Sequence, residues 1–116
     1  MSIDVANDPP LRFDAVTRAR LRRRLLHRGG ILATLLADVL AGKNKLSLLE
    51  SLGLVRPGIR PEEALRKALN QVEARRVLLD AEDDRYGRCD VCGLDLGVTA
   101  LDEMAWADRC RTHAPI

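Results

Sequence analysis

The sequence predicts an all-α fold: an antiparallel helical hairpin with coiled-coil-like packing, followed by a small finger at the C-terminal end. Three observations lead to this prediction. Apolar residues recur at helical spacing in two long segments, 11–41 and 61–86. Aromatic residues make up only 3% of the chain, and a sequence rich in Leu, Val and Ala packs as helices more readily than as a large sheet. Closely spaced cysteines follow the second segment.

The domain boundaries follow changes in this pattern. Residues 1–10 end in two prolines and predict a flexible N-terminal tail. Residues 11–87 form the predicted hairpin, with its connection at 42–60, and residues 88–116 form the predicted finger. A chain of 116 residues is long enough for one such core, and a metal would help to stabilise the smaller end.

The first predicted helix spans residues 11–41. Its apolar stripe consists of Leu21, Leu25, Leu32, Leu35 and Val39. Arg28 occupies the remaining position of this stripe, and Gly42 is a typical stop signal. The pair Gly29-Gly30 leaves two alternatives open, a kinked or broken helix and a straight one, because each glycine costs about 1 kcal/mol in a helix interior.

The second predicted helix begins at Pro61 and ends at Tyr86, where Gly87 would close it. Its stripe consists of Leu65, Leu69, Val72, Leu79 and Tyr86, with Arg76 and Asp83 in the gaps. When the two helices are aligned antiparallel, the apolar residues of one stripe lie opposite those of the other. The same alignment places Arg28 opposite Arg76, which is unfavourable because both are positively charged. In the connection, a short helix is expected to carry Leu46, Leu49 and Leu52 on one face.

The charge distribution argues against a protein dedicated to nucleic-acid binding. Residues 1–60 contain 11 Lys and Arg against 5 Asp and Glu, whereas residues 61–116 contain 8 against 12. The chain is therefore electrically polarised, but its net charge of +2 lacks the basic excess typical of such proteins.

The termini and the cysteine count indicate a cytoplasmic protein. The sequence begins MSIDVANDPP, without the basic and apolar regions of a secretory signal, and its apolar runs are too short to span a bilayer. We therefore expect no membrane association. Three cysteines cannot close a disulfide framework, and in a reducing compartment a CxxC pair indicates a metal site or redox chemistry.

The spacing of four residues predicts a structural zinc site. Cys89 and Cys92 are separated by two residues, as are Cys110 and His113, and seventeen residues lie between the two pairs. Two such knuckles 15–20 residues apart are typical of zinc sites, because each short spacing lets two donors bind one cation. Gly93 suits the tight turn that the first knuckle requires. The finger is thus expected to be zinc-ribbon-like.

Two other arrangements of these residues compete with a four-ligand zinc site. Cys89 and Cys92 could form a disulfide or a thioredoxin-like redox pair, although no βαβ pattern surrounds them. If His113 is not a ligand, three thiolates plus a water would complete the shell. Four protein ligands leave no open position for catalysis, so the chain is not expected to be an enzyme or to have a small-molecule substrate.

The end of the second helix and the finger resemble the DksA/TraR family of bacterial zinc-finger proteins. The resemblance lies in the two cysteine-containing knuckles, their seventeen-residue spacing and the apolar positions around them. These positions are Leu78, Ala81, Tyr86-Gly87, Leu96, Leu101 and Ala107. The resemblance implies a helical hairpin that enters the secondary channel of RNA polymerase and alters transcription initiation, with nucleotide alarmones able to cooperate in typical members.

The sequence departs from this family at several positions. The connection lacks the acidic Asp-x-x-Asp-x-Ala motif of the hairpin tip, the fourth ligand is His113 instead of cysteine, and Ala105 replaces a proline. The connection instead supplies one set of candidate partner contacts: Lys43, Lys45, Leu46, Leu49 and Glu50. The arginine-rich first helix supplies a second set: Arg20, Arg23 and Arg24.

Two further functions remain open from sequence. The chain could be a zinc-stapled adaptor that binds another protein through its arginine face or its leucine-rich connection. It could also be a nucleic-acid-binding zinc-finger module, which would show a steep dependence of affinity on salt. RNA polymerase is the expected partner.

Overall fold

The computed structural model describes residues 12–114, and within them the protein is helical, as predicted. The predicted tail at 1–10 lies outside the described residues. Four helices follow one another along the chain: α1 (Ala15–Leu40), α2 (Leu46–Ser51), α3 (Pro61–Asp80) and α4 (Val98–Glu103). The described part of the chain contains no strand, only a single antiparallel bridge between Arg88 and Asp95.

Helix α1 is continuous through Gly29-Gly30, which resolves the question that the sequence left open. The helix begins at the N-cap Asp14, whose carboxylate accepts a hydrogen bond from the Thr17 amide at 2.7 Å. It ends at Leu40, and Gly42, two residues later, has a φ of +84° and donates its amide to the Val39 carbonyl. Buried leucines on both sides of the glycine pair hold it in the helix.

Helix α3 ends at Asp80, six residues before the predicted end at Tyr86. Glu82 has a φ of +55°, and the amides of Glu82 and Asp83 donate to the carbonyls of Leu79 and Leu78. This is a Schellman ending with a residue other than glycine at the left-handed position. The prediction was wrong because Tyr86 continues the helical spacing but belongs to the finger.

The core lies between α1 and α3, which run in opposite directions. Arg22 near the start of α1 pairs with Asp80 at the end of α3, and Gly29 lies against Val72 in the middle. The buried α1 residues are Leu21, Leu25, Leu32 and Leu35, and the buried α3 residues are Leu65, Ala68, Val72, Arg75 and Leu79. Burial of these apolar side chains provides the main stabilisation of the pair.

The predicted conflict between Arg28 and Arg76 does not occur. Arg75, not Arg76, occupies the buried gap in the α3 stripe. Arg76 points outward and pairs with Glu73 and Asp80. The Arg28 guanidinium lies 4.3 Å from the centre of the Trp106 ring, a cation–π contact that removes it from the helix interface.

The connection folds back onto the helical pair mainly through Leu49, with the partly buried Leu52 and Leu54 packed beside it. Leu49 of α2 is 2% exposed and belongs to the core, whereas Leu46 and Leu48 are nearly half exposed. A Schellman ending closes α2, in which the amides of Gly53 and Leu54 donate to the carbonyls of Glu50 and Leu49. Pro61 then begins α3.

Candidate metal centre

The first cysteine knuckle is a tight turn set by backbone hydrogen bonds. The Cys89 amide donates to the Leu94 carbonyl at 2.9 Å, and the Gly93 amide donates back to the Cys89 carbonyl at 2.9 Å. Gly93 has a φ of +76°, which residues with a side chain rarely adopt. This turn directs the thiols of Cys89 and Cys92 to the same side.

The second knuckle is brought to the first by α4 and by a backbone contact. The Asp90 amide donates to the Asp108 carbonyl at 2.8 Å, which joins the two knuckles directly. In the second knuckle, the His113 amide donates to the Cys110 carbonyl at 3.0 Å. The buried Leu101 of α4 anchors the segment between them.

All four predicted ligands converge. One donor atom from each of Cys89, Cys92, Cys110 and His113 lies within 4.8 Å of the others. The thiols of Cys92 and Cys110 are 3.8 Å apart. The Nδ1 atom of His113 lies 3.2 Å from the Cys110 thiol and 3.7 Å from the Cys89 thiol.

This geometry fits a tetrahedral metal ion. With metal–sulfur bonds of about 2.3 Å, two thiolates of a tetrahedral shell lie roughly 3.8 Å apart. The observed separation of the Cys92 and Cys110 thiols meets this requirement. Three thiolates and one imidazole are a soft donor set, which suits zinc better than the hard cations magnesium or calcium. These residues could therefore hold a metal ion.

The local electrostatics favour the thiolate form of Cys89, which is the form that binds a metal. Burial raises the pKa of Cys89, but hydrogen bonds from the backbone at Cys110, Cys92 and Val91 outweigh it and lower this pKa to about 6. The hydrogen bond to the Cys110 thiol raises the pKa of His113. A cysteine that readily becomes a thiolate is a better metal ligand.

Tyr86 fixes the finger against the two long helices. Its hydroxyl donates to the Ala105 carbonyl at 2.8 Å, and its ring makes an edge contact with Phe13. Burial raises the pKa of the hydroxyl. Next to it, Gly87 leaves room for Leu101 and Phe13, since an added Cβ would lie 2.9 Å and 3.2 Å from their side chains.

Two arginines also link the helices to the finger through ion pairs, and the sequence interpretation missed one of them. Arg75 of α3 is 7% exposed and binds both carboxylate oxygens of Asp90, which lies between the first two cysteines. In the sequence, the only sign that Arg75 would be buried is its position in the apolar stripe, three residues after Val72. Arg20, predicted as a partner contact, pairs with Asp102 of α4 at 2.8 Å.

The other arginines predicted as partner contacts remain at the surface. Arg23 and Arg24 are exposed on α1, one turn or less beyond the Arg20–Asp102 pair. The structure thus separates Arg20, which holds the finger, from two neighbours whose guanidinium groups face solvent.

The predicted contacts in the connection are divided between surface and core. Lys43 and Lys45 lie on the surface near Asp38, at 3.4 Å and 3.6 Å, and Glu50 is exposed. Leu46 is exposed as well. Leu49 is buried, which corrects its assignment as a contact residue, because its side chain offers no surface to a partner.

None of the helices within residues 12–114 combines the length and the apolar character needed to cross a membrane.

Comparison with known proteins gives one partial similarity. The chain is 35% identical over 52 residues to the RNA polymerase-binding transcription factor DksA of Haemophilus influenzae. The match covers 45% of this chain and about a third (34%) of the length of that protein. No protein-family model and no solved structure matches the chain.

Proposed function

We propose that this protein is a non-enzymatic transcription regulator of the DksA/TraR type, which binds RNA polymerase and carries a structural zinc ion. The observation that carries the proposal is the convergence of Cys89, Cys92, Cys110 and His113 beside a pair of long antiparallel helices. The partial similarity to DksA supports the same function. The expected location is the cytoplasm, where the polymerase is found.

In this proposal, α1 and α3 form a hairpin that enters the secondary channel of the polymerase, and the finger is a zinc-ribbon-like base. Zinc, when bound, supplies four strong bonds that hold the two knuckles together. The chain's own residues do the rest: Tyr86 packs the finger onto the helices, and Arg75 and Arg20 fix its orientation through Asp90 and Asp102. Its four ligands fill the metal shell, which is the arrangement of a structural site.

The tip of this hairpin would act differently from the acidic tip of the family. Around α2 the charged surface groups are two lysines and one glutamate, beside two exposed leucines and two exposed serines, with no aspartate pair. We therefore expect binding to polymerase with a regulatory effect that does not depend on tip acids. An exposed pair of leucines, Leu46 and Leu48, would be the main apolar contact there.

Binding and insertion are tested together by cross-linking from the tip. Ser51, which is exposed at the end of α2, is replaced by the photoreactive residue p-benzoylphenylalanine, and the zinc-loaded protein is mixed with purified bacterial RNA polymerase. We expect cross-links to polymerase residues that line the secondary channel and a change in transcript yield in a purified transcription reaction.

A matched control places the same photoreactive residue at Arg111, in the finger. This position should cross-link outside the channel. A protein that neither binds polymerase nor changes initiation at any promoter tested would refute the proposed function, and cross-links from both positions to the same outer surface would refute insertion of the hairpin.

A further inference from the structure

A continuous groove follows the exposed side of α1 from the finger to α2. Two cavities of about 390 and 690 Å³ share His27 and Ile31 in their walls and so join end to end. We call this surface the α1 groove. Its floor is formed by residues of α1 that are spaced alternately four and three apart: Arg20, Arg24, His27, Ile31, Thr34 and Asp38. At 1.5 Å per residue it extends for about 27 Å, or five helical turns.

The two halves of the α1 groove differ in chemistry. Near the finger, Arg23 and Arg24 are exposed, and within residues 12–114 neither forms an ion pair with a carboxylate. Toward α2 the groove is apolar, because Leu26 and Leu48 are each nearly half exposed beside Ile31. The groove therefore presents mainly cations at the finger end, where Glu103 is the one acidic lining residue, and an apolar strip in its middle. It ends near α2 at the polar side chains of Thr34, Asp38 and Lys45.

Gly30 has no explanation within the fold itself. It lies on the groove side of α1, and an added Cβ would meet no atom within 4 Å. Glycine in a helix interior costs about 1 kcal/mol relative to alanine, so an isolated α1 would be more stable with alanine at this position. A residue without a side chain instead allows the backbone of another molecule to approach closely, as small residues do where two helices pack tightly.

We propose that the α1 groove binds an amphipathic, acidic helix of another protein. Its apolar face would pack on Gly30, Ile31 and Leu48, and its acidic end would meet Arg23 and Arg24. The occupant is acidic because of charge complementarity with these arginines. We expect the occupant to be a helix because the groove follows the continuous helix α1 for five turns and carries an apolar strip. Amphipathic helices bind apolar grooves of this kind.

This interaction goes beyond polymerase binding and can be tested without polymerase. The probe is a synthetic peptide of about 18 residues, the length of the groove, with leucines at helical spacing on one face, glutamates at one end and no tryptophan. A matched peptide carries lysines in place of the glutamates. Trp106 is the only tryptophan of the chain and lines the groove, so its fluorescence reports binding.

We expect the acidic peptide to bind saturably and the basic peptide to bind at least about tenfold more weakly. Gly30→Leu should weaken binding of the acidic peptide about tenfold by filling the floor of the groove, while the melting temperature of the protein stays equal or rises. Arg24→Glu should weaken binding of the acidic peptide to a similar extent. Arg66→Glu, an exposed arginine of α3 away from the groove, should leave the affinity within about twofold.

Other results would overturn the proposal. These are an absence of saturable binding, equal affinity for both peptides, or an affinity that neither Gly30→Leu nor Arg24→Glu changes. Binding that requires deletion of residues 1–10 would mean that this chain's own N-terminal segment occupies the groove. A dimer in analytical ultracentrifugation that Gly30→Leu dissociates would instead identify a second copy of the chain as the occupant.

Discussion

Arg75 donates from its Nη2 atom to both carboxylate oxygens of Asp90, at distances of 3.0 and 3.2 Å. The arginine is buried in the apolar stripe of α3, whereas the Asp90 side chain is 42% exposed in the first knuckle. Within the described residues, the Nε and Nη1 atoms of Arg75 have no hydrogen-bond partner. A single carboxylate therefore compensates a buried charge and at the same time connects α3 to the candidate metal centre.

The first prediction concerns this ion pair. Asp90→Ala should lower the free energy of unfolding by about 2 kcal/mol, because it leaves the Arg75 guanidinium buried without a counter-charge. Arg75→Met should cost less than about 1 kcal/mol, since an apolar side chain of similar length suits the stripe. Urea denaturation of the zinc-loaded variants measures both values.

The double variant provides the control. With Arg75→Met already present, Asp90→Ala should have little further effect, and the metal content of every variant should match that of the wild type. Equal losses for Asp90→Ala in both backgrounds would show that the pair does not stabilise the fold.

The second prediction concerns removal of the metal. Treatment with a strong chelator should release one zinc ion per chain and loosen the two knuckles, because the metal would supply the bonds that hold all four ligands together. Most of the helical signal in circular dichroism should persist, since the buried leucines of α1 and α3 do not involve the metal. The Trp106 fluorescence should change as its contact with Arg28 loosens. Loss of the whole helical signal on chelation would contradict this prediction.

The third prediction concerns Gly87. Gly87→Ala should destabilise the protein by about 3 kcal/mol, because the φ of +77° disfavours any side chain and the new Cβ would clash with Leu101 and Phe13. Gly42→Ala is the matched control. It has a similar φ of +84° but no neighbouring atom within 4 Å, so it should cost only about 1 kcal/mol. Similar losses at both positions in thermal unfolding would show that packing at Gly87 contributes nothing.

The fourth prediction separates two leucines of the connection. Leu49→Ala should lower the free energy of unfolding by about 3 kcal/mol, because it leaves a cavity in the core. Leu46→Ala should change it by less than about 0.5 kcal/mol, because its side chain is 48% exposed. In the polymerase assay, Leu46→Ala should weaken binding. If it instead proves as destabilising as Leu49→Ala, α2 packs differently from the structure described.

Local periodicity predicted much of the fold. The stripes of leucine and valine indicated the two long helices, and Pro61 and Gly42 marked boundaries that the structure places within a few residues. The same rule failed at Tyr86, because helical spacing alone cannot distinguish a residue that continues a helix from one that re-enters the core after a turn. It also selected Arg76 where Arg75 is buried, since both are arginines near the gap in the stripe.

The sequence by itself determined the helical class and the four candidate ligands, because helix periodicity and metal spacing are properties of residues close together in the chain. Only the tertiary structure decided that Arg28 stacks on Trp106, that Arg75 binds Asp90, and that Leu49 is buried while Leu46 is exposed. These facts depend on contacts between distant segments, whose positions are set by how α1, α3 and the finger pack together.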